Sequence, residues 1–218
     1  ASCCWASVSG RSSTSANSVQ RMLKGFVGQP RWSLANWLAL HNPLLIVDEA
    51  HNTKTDKSFT ALKRLNPWLN DGNLQRAIRE VTHVPAASLL DANEKLYTTL
   101  TRGISVTQDL GHGSRGQQVR YFDFVAPRHN DLVVTRQLRI KGAKKHIIPD
   151  LVLYVNGVPL AVIECKSPTI GEKWEHEAID QLLRYQELAE KYRDLGAPRR
   201  FHSVQLCVAT CLQDAVYG

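Results

Sequence analysis

"RIKGAKKHIIPDLVLYVNGVPLAVIECKSP", residues 139–168, is the stretch on which the fold turns. Two runs of branched apolar residues, 151–155 and 158–163, flank Asn156-Gly157. That dipeptide suits the left-handed turns that join paired strands, so the stretch predicts a β-hairpin. A hairpin made only for a core should end in apolar or turn residues. This one is entered at Asp150 and left through Glu164 and Lys166. Glu164 and Lys166 stand two apart, so on a strand they share a face. Two carboxylates offer hard oxygen ligands for Mg²⁺, and a lysine beside them can orient or deprotonate a water, or stabilise developing charge. Charges fraying into solvent from strand ends are the plainer reading of the same residues.

Parity decides between the two. A two-residue loop pairs Val155 with Val158 and sends Asp150 and Glu164 to opposite faces. A three-residue loop with Gly157 left-handed pairs Tyr154 with Val158 instead, and the resulting bulge brings all three charges to one side. A site therefore needs a slip of one residue, and this reading places it at Asn156-Gly157.

The rest of the chain supplies the surroundings. With 218 residues, 43% of them hydrophobic, it is long enough for one sizeable core or a core with an appendage. No apolar run approaches the roughly 18 residues that span a bilayer, so a soluble, cytoplasmic protein without a membrane partner is expected. A net charge of +7 favours an anionic partner, with nucleic acid the commonest. The odd set Cys3, Cys4, Cys165, Cys207 and Cys211 makes no disulfide framework and fits a reducing compartment. Cys207 lies inside an apolar run and reads as a core thiol.

Residues 1–31 are Ser-rich, hold no acidic residue and show no sustained period, which predicts a disordered tail. From 32 to 67 the text implies a short helix, a buried strand over 44–47, and a helix around 59–65. Helices are expected near 73–80 and 89–102, the latter stopped by Gly103. Period-two runs at 104–108, 118–124 and 132–140 predict strands before the hairpin. A long amphipathic helix should follow and end at Gly196, with a last strand over 203–209. The fold class is α/β, a mixed central sheet flanked by helices, with a poorly ordered N-terminal extension.

Here the residues reach a family. "IIPDLVLYVNGVPLAVIECKSP" followed by "EAIDQLLRYQE" resembles the N-terminal nuclease domain of the restriction (R, motor) subunit of type I restriction enzymes, in the PD-(D/E)XK superfamily. The resemblance extends through "LNPWLNDGNLQRAIREV", "ANEKLYTTLTRGISV", "VRYFDFVAPRHNDLVVTRQLRIKG" and "RRFHSVQLCVAT". It implies a restriction-endonuclease-like fold over 68–218, truncated at its C-terminal end, and a type I site-specific deoxyribonuclease activity. Asp150, Glu164 and Lys166 would be its catalytic residues, with Mg²⁺ or Mn²⁺ on the two carboxylates and the backbone carbonyl of Cys165. Glu94 matches the helix acid that completes such sites. Gln181 and Tyr185 match the Gln-x-x-x-Tyr motif, one helical turn apart, that positions DNA or the site. The implied partners are double-stranded DNA and the methyltransferase and specificity subunits of a restriction-modification complex.

A second motif competes. "LLIVDEAHN", 44–52, resembles the DEAH-box of superfamily 2 helicases, and residues 44–64 are closest to the restriction subunit of type III enzymes. On that resemblance Asp48 would hold Mg²⁺ and Glu49 would activate water for ATP hydrolysis. ATP needs a phosphate cradle, and no Gly-x-x-x-x-Gly-Lys-Ser/Thr occurs in the chain, so ATP, a cofactor of the full-length family, is not expected to serve here. Residues 32–67 read as a helicase-like remnant. Three readings stand: a metal-dependent DNA endonuclease, a remnant of a DEAH-box ATPase, and a non-catalytic DNA-binding or assembly module.

Overall fold

The computed structural model describes residues 6–7, 45–48, 54–211 and 214–218. Its centre is a seven-stranded mixed sheet in the order β1-β11-β10-β9-β8-β5-β2. The strands are β1 (Ala6–Ser7), β2 (Leu45–Asp48), β5 (Leu132–Arg136), β8 (Leu151–Val155), β9 (Val158–Cys165), β10 (Leu206–Thr210) and β11 (Ala215–Tyr217). The middle of the sheet is the antiparallel trio β5-β8-β9, with β10 added parallel to β9 and β2 parallel to β5. Three helices, α1 (Lys54–Leu65), α2 (Asp71–Thr82) and α3 (Leu89–Arg102), precede it, and α4 (Trp174–Gln186) follows the hairpin. Two short ribbons complete the chain: β3 (Ile104–Asp109) with β4 (Ser114–Val119), and β6 (Ile140–Lys141) with β7 (His146–Ile147).

Two apolar clusters divide the strands between them. One gathers Trp174, Ala178, Leu182 and Tyr185 of α4 against Val152, Val162, Cys207 and Ala209. The other packs Leu62, Leu74, Ile78 and Leu96 of α1–α3 against Val106 and Val119, with Val155, Val158 and Leu160 at its edge. Cys207 and Cys211 are both buried, as the core reading of Cys207 requires.

The turn differs from the expected three-residue loop. Asn156 and Gly157 both have left-handed φ, 51° and 80°, and Val155 pairs with Val158 in a two-residue turn. Asn156 tolerates this because its side chain is fully engaged. It accepts from the Asp131 N–H at 2.8 Å and donates to the Tyr121 carbonyl and Asn130 Oδ1 at 2.8 and 2.9 Å.

The slip occurs further along. Tyr154 pairs with Pro159 but Leu153 pairs with Ala161, so Leu160 is the extra residue of a bulge. Core membership shows the same break: Val158 and Leu160 pack on the α1–α3 cluster, whereas Val162 joins the α4 cluster. Pro159 is the visible cue, since a proline inside a central-looking strand marks a bulge or an edge.

Other boundaries move for local reasons. The expected strand over 118–124 ends at Val119 because the Asn66 side chain takes both the N–H and the carbonyl of Arg120. The strand over 132–140 breaks after Arg136, where Gln137 turns left-handed (φ 48°) and gives its N–H to the Asp150 carbonyl. The helix expected to reach Gly196 stops at Gln186, since left-handed Glu187 (φ 56°) caps it. Gly196 instead serves a close approach, a Cβ there standing 2.4 Å from the Arg184 carbonyl oxygen. Gly103 (φ 75°) does end α3 as expected. The strand expected over 203–209 runs from Leu206 to Thr210. The proposed short helix after residue 32, Glu49, and most of the expected tail over 1–31 lie outside the described residues; β1 falls within that span and pairs with β11.

Candidate active site

The bulge sets the site. With Leu151 opposite Ile163, the register carries Asp150 to the level of Glu164 on the same side of the hairpin. The Asp150 Oδ2 accepts the Cys165 N–H at 2.8 Å, which ties the entry of β8 to the exit of β9. Asp150 is half-buried, whereas the Glu164 residue is only 2% exposed.

Glu164 is held by α4. Its Oε1 accepts from Lys166 Nζ at 3.2 Å and from Gln181 Nε2. Lys166 Nζ also donates to Gln181 Oε1 at 2.6 Å. Gln181 Nε2 reaches Tyr185 OH at 2.5 Å, and that hydroxyl donates to the Ile148 carbonyl at 3.1 Å. Gln181 and Tyr185 share a helical face, so one turn of α4 carries both partners of the network. Because Ile148 precedes Asp150 by two residues, the network closes on the strand that supplies the other carboxylate.

One atom is left over. Glu164 Oε2 is buried and has no hydrogen-bond partner among the described residues. A buried acceptor left unpaired costs about 1–3 kcal/mol, more for a charge. Burial first, then the Asp150 carboxylate beside it, push the Glu164 carboxyl up to about 7, although the Lys166 ammonium pulls it down. Burial likewise raises the Cys165 thiol to about 11 and the Tyr185 hydroxyl to about 12. Both stay protonated near neutrality, so Tyr185 can act as the donor that the network needs.

The donor set suits a hard divalent cation better than zinc. Among the described residues no three His, Cys, Asp or Glu side chains gather as a metal cluster. Two carboxylates with a neighbouring backbone carbonyl leave positions open for water and phosphate, which is the way Mg²⁺ is bound. An orphaned carboxylate oxygen in that set has the chemistry of a ligand atom.

Glu94 is not bonded to this group. It is exposed on α3, and no hydrogen bond or ion pair links it to Asp150, Glu164 or Lys166. Asp48 ends β2 opposite Arg136 in the neighbouring strand. Sequence reasoning missed two structural parts of the site. One is the Ile148 carbonyl, which no side-chain pattern announces; the other is the bulge at Leu160, which Pro159 signals.

A family model described as type I restriction enzyme R protein N terminus matches residues 32–218. The chain is 31% identical over 136 residues to the type I restriction enzyme HindI endonuclease subunit of Haemophilus influenzae, covering 61% of this chain and 13% of that protein. It is 28% identical over 139 residues to the putative type I restriction enzyme MjaVIIIP endonuclease subunit of Methanocaldococcus jannaschii, covering 63% and 12%. The putative MjaIXP endonuclease subunit of the same organism is 23% identical over 143 residues, covering 63% and 14%. The chain thus spans about an eighth of the length of the curated relatives it matches. The DEAH-like segment falls inside the stretch that the family model matches.

Proposed function

Because the chain belongs to the family of type I restriction enzyme R protein N-termini, we propose that it is the DNA-cleaving part of such a subunit, hydrolysing phosphodiester bonds with Mg²⁺ or Mn²⁺. The observation that carries this is the convergence of Asp150, Glu164 and Lys166 around a buried carboxylate oxygen without a partner. The nuclease unit on this reading includes α1, since Leu62 lies in the second core and Arg64 pairs with Asp131 at 3.0 Å.

Asp150, Glu164 and the Cys165 carbonyl would hold the divalent ion, which when bound supplies Lewis acidity toward a phosphate oxygen. Lys166 has three donors and spends two on Glu164 and Gln181. The third is available to orient an attacking water or to meet charge that develops on the phosphate. Its side chain is 18% exposed, enough for one face to reach a substrate. Gln181 is a positioning residue on this reading: it holds the Glu164 carboxylate and the Lys166 ammonium at once, and Tyr185 holds Gln181. Double-stranded DNA is the proposed substrate. Methyltransferase and specificity subunits are the proposed partners, with ATP serving parts of the longer protein other than this chain.

The test is Mn²⁺ binding followed by electron paramagnetic resonance, together with cleavage of duplex DNA in Mn²⁺ or Mg²⁺. The wild-type chain should bind the ion, and Asp150→Ala and Glu164→Ala should not. Lys166→Ala should bind it but cut no DNA. A wild-type chain that leaves Mn²⁺ free would defeat the reading.

A further inference from the structure

Residues 132–149, between Asp131 and Asp150, contain five lysines and arginines and no acidic residue. Part of this run leaves the sheet and returns to it as the β6–β7 ribbon. The ribbon is closed at its base beside the candidate site, where the Gln137 N–H donates to the Asp150 carbonyl at 2.9 Å. The excursion therefore departs from, and rejoins, the sheet at the level of a carboxylate in the cluster.

The ribbon is anchored on one side and charged on the other. Leu138, Ile140 and Ile147 are buried in the α4 cluster at 2%, 8% and 1% exposure. Arg139, Lys141, Lys145 and His146 are exposed. At the tip, Gly142 lies so close to Gly196 that a Cβ would stand 2.1 Å from its carbonyl oxygen. Lys144 completes the clamp through its ammonium on Asp194 at 2.8 Å and its N–H on the Asp194 carbonyl at 3.2 Å. The Ala197 N–H then donates to the Tyr185 carbonyl at 2.9 Å, which links the tip to the helix that holds Glu164.

Lys144 thus works inside the protein, whereas the side-chain charges of Arg139, Lys141 and Lys145 have no hydrogen-bond or ion-pair partner among the described residues. Three unneutralised cations on a braced ribbon, with no carboxylate within it, make a fixed positive stripe. The backbone that carries these cations is already ordered, so a polyanion that meets them has side chains to order but no loop to fold. A duplex backbone is the partner that rewards several such charges in a row, because each neutralised phosphate releases counterions.

We infer that the β6–β7 ribbon grips the sugar-phosphate backbone of duplex DNA next to the site, with Arg139, Lys141 and Lys145 on phosphates. The inference rests on the nuclease reading for its substrate, and it adds the element that holds that substrate. Contacts of this kind set position and affinity rather than sequence preference.

The experiment is fluorescence anisotropy of a short labelled duplex titrated with the protein in chelator at several salt concentrations. Arg139→Ala, Lys141→Ala and Lys145→Ala combined should weaken binding at least about tenfold near 0.1 M salt. The slope of log affinity against log salt should become shallower by about 2–3. A control combining Arg76→Ala, Arg79→Ala and Arg102→Ala removes the same charge from exposed positions on α2 and α3, and it should leave the slope within about one unit. Mn²⁺ affinity of the ribbon variant should equal wild type, which also reports an intact fold. Should the triple variant fail to fold, Lys141→Glu alone should lower the slope by about one.

An unchanged slope in the ribbon variants, an equal loss in the control, or no DNA binding by the wild type overturns the inference. Glu164→Gln separates the two readings, since it should lose Mn²⁺ and keep the duplex. Absence of Mn²⁺ binding together with a ribbon-dependent salt slope would sink the nuclease reading alone.

Discussion

The two ends of the β8–β9 hairpin bury polar side chains in opposite ways. At the turn, Asn156 is 5% exposed, and its side chain accepts one hydrogen bond and donates two. At the open end, Glu164 is 2% exposed, one oxygen takes two donors, and the other takes none. A buried polar group that is completely satisfied specifies a structure, because any other packing would strand its partners. A buried group left incomplete costs stability, and is retained where a ligand completes it. The same pair of strands thus builds a joint at one end and the candidate site at the other.

The largest effect should come from breaking the open end. Lys166→Ala or Glu164→Gln should lower DNA cleavage by about 10²-fold or more, as loss of a pre-placed charge or ligand does. In chelator at neutral pH the thermal midpoint of Glu164→Gln should be no lower than wild type, which calorimetry on the same samples checks. Equal losses of stability and cleavage would make the cluster a structural one.

The matching change at the turn is Asn156→Ala. It strands the Asp131 N–H and the Tyr121 carbonyl, and asks alanine to adopt φ 51°. Urea unfolding should show a loss of about 2–4 kcal/mol. Asn156→Gly, which keeps the backbone and loses the bonds, should recover part of this.

Proton linkage sharpens the contrast. Glu164 titrates in the folded protein at about 7 rather than 4.5, so the folded state binds its proton more tightly than the unfolded chain does. Its contribution in chelator therefore falls as pH rises from about 4.5 to about 7, and stays at its lower level above that. The loss is on the order of 3 kcal/mol. Glu164→Gln should flatten the chelator-state stability profile across this window. Mg²⁺ or Mn²⁺ should raise the wild-type midpoint most above pH 7, where the carboxylate is already ionised. The smallest effect belongs to Glu94, exposed and unattached to the cluster: Glu94→Ala should alter Mn²⁺ affinity less than about twofold, as read by titration calorimetry.

Much of this was legible in local pattern. Asn156-Gly157 announced the hairpin because few residues accept two left-handed positions in succession. Gly103 marked the end of α3 because a glycine cap acts within a turn of the chain. Asp150, Glu164 and Lys166 stood out because charge at the ends of apolar strands is costly to place without a purpose. The family resemblance rested on many such segments in order, and the match over 32–218 agrees with it.

What pattern alone did not decide was side and register. Whether Asp150 and Glu164 share a face depends on which residue is squeezed out of the ladder. That was settled by two cores competing for β9, with Leu160 drawn to one and Val162 to the other. The early end of α4 is likewise a packing result, since left-handed Glu187 lets residues 194–197 return under Tyr185 and reach Gly142. The ionisation of Glu164 and the bracing of the β6–β7 ribbon follow from those placements. Amino-acid order determined the chemistry on offer and the local turns, because both act over a few residues. Tertiary structure decided which groups meet, because burial and register are properties of the whole sheet and its two faces.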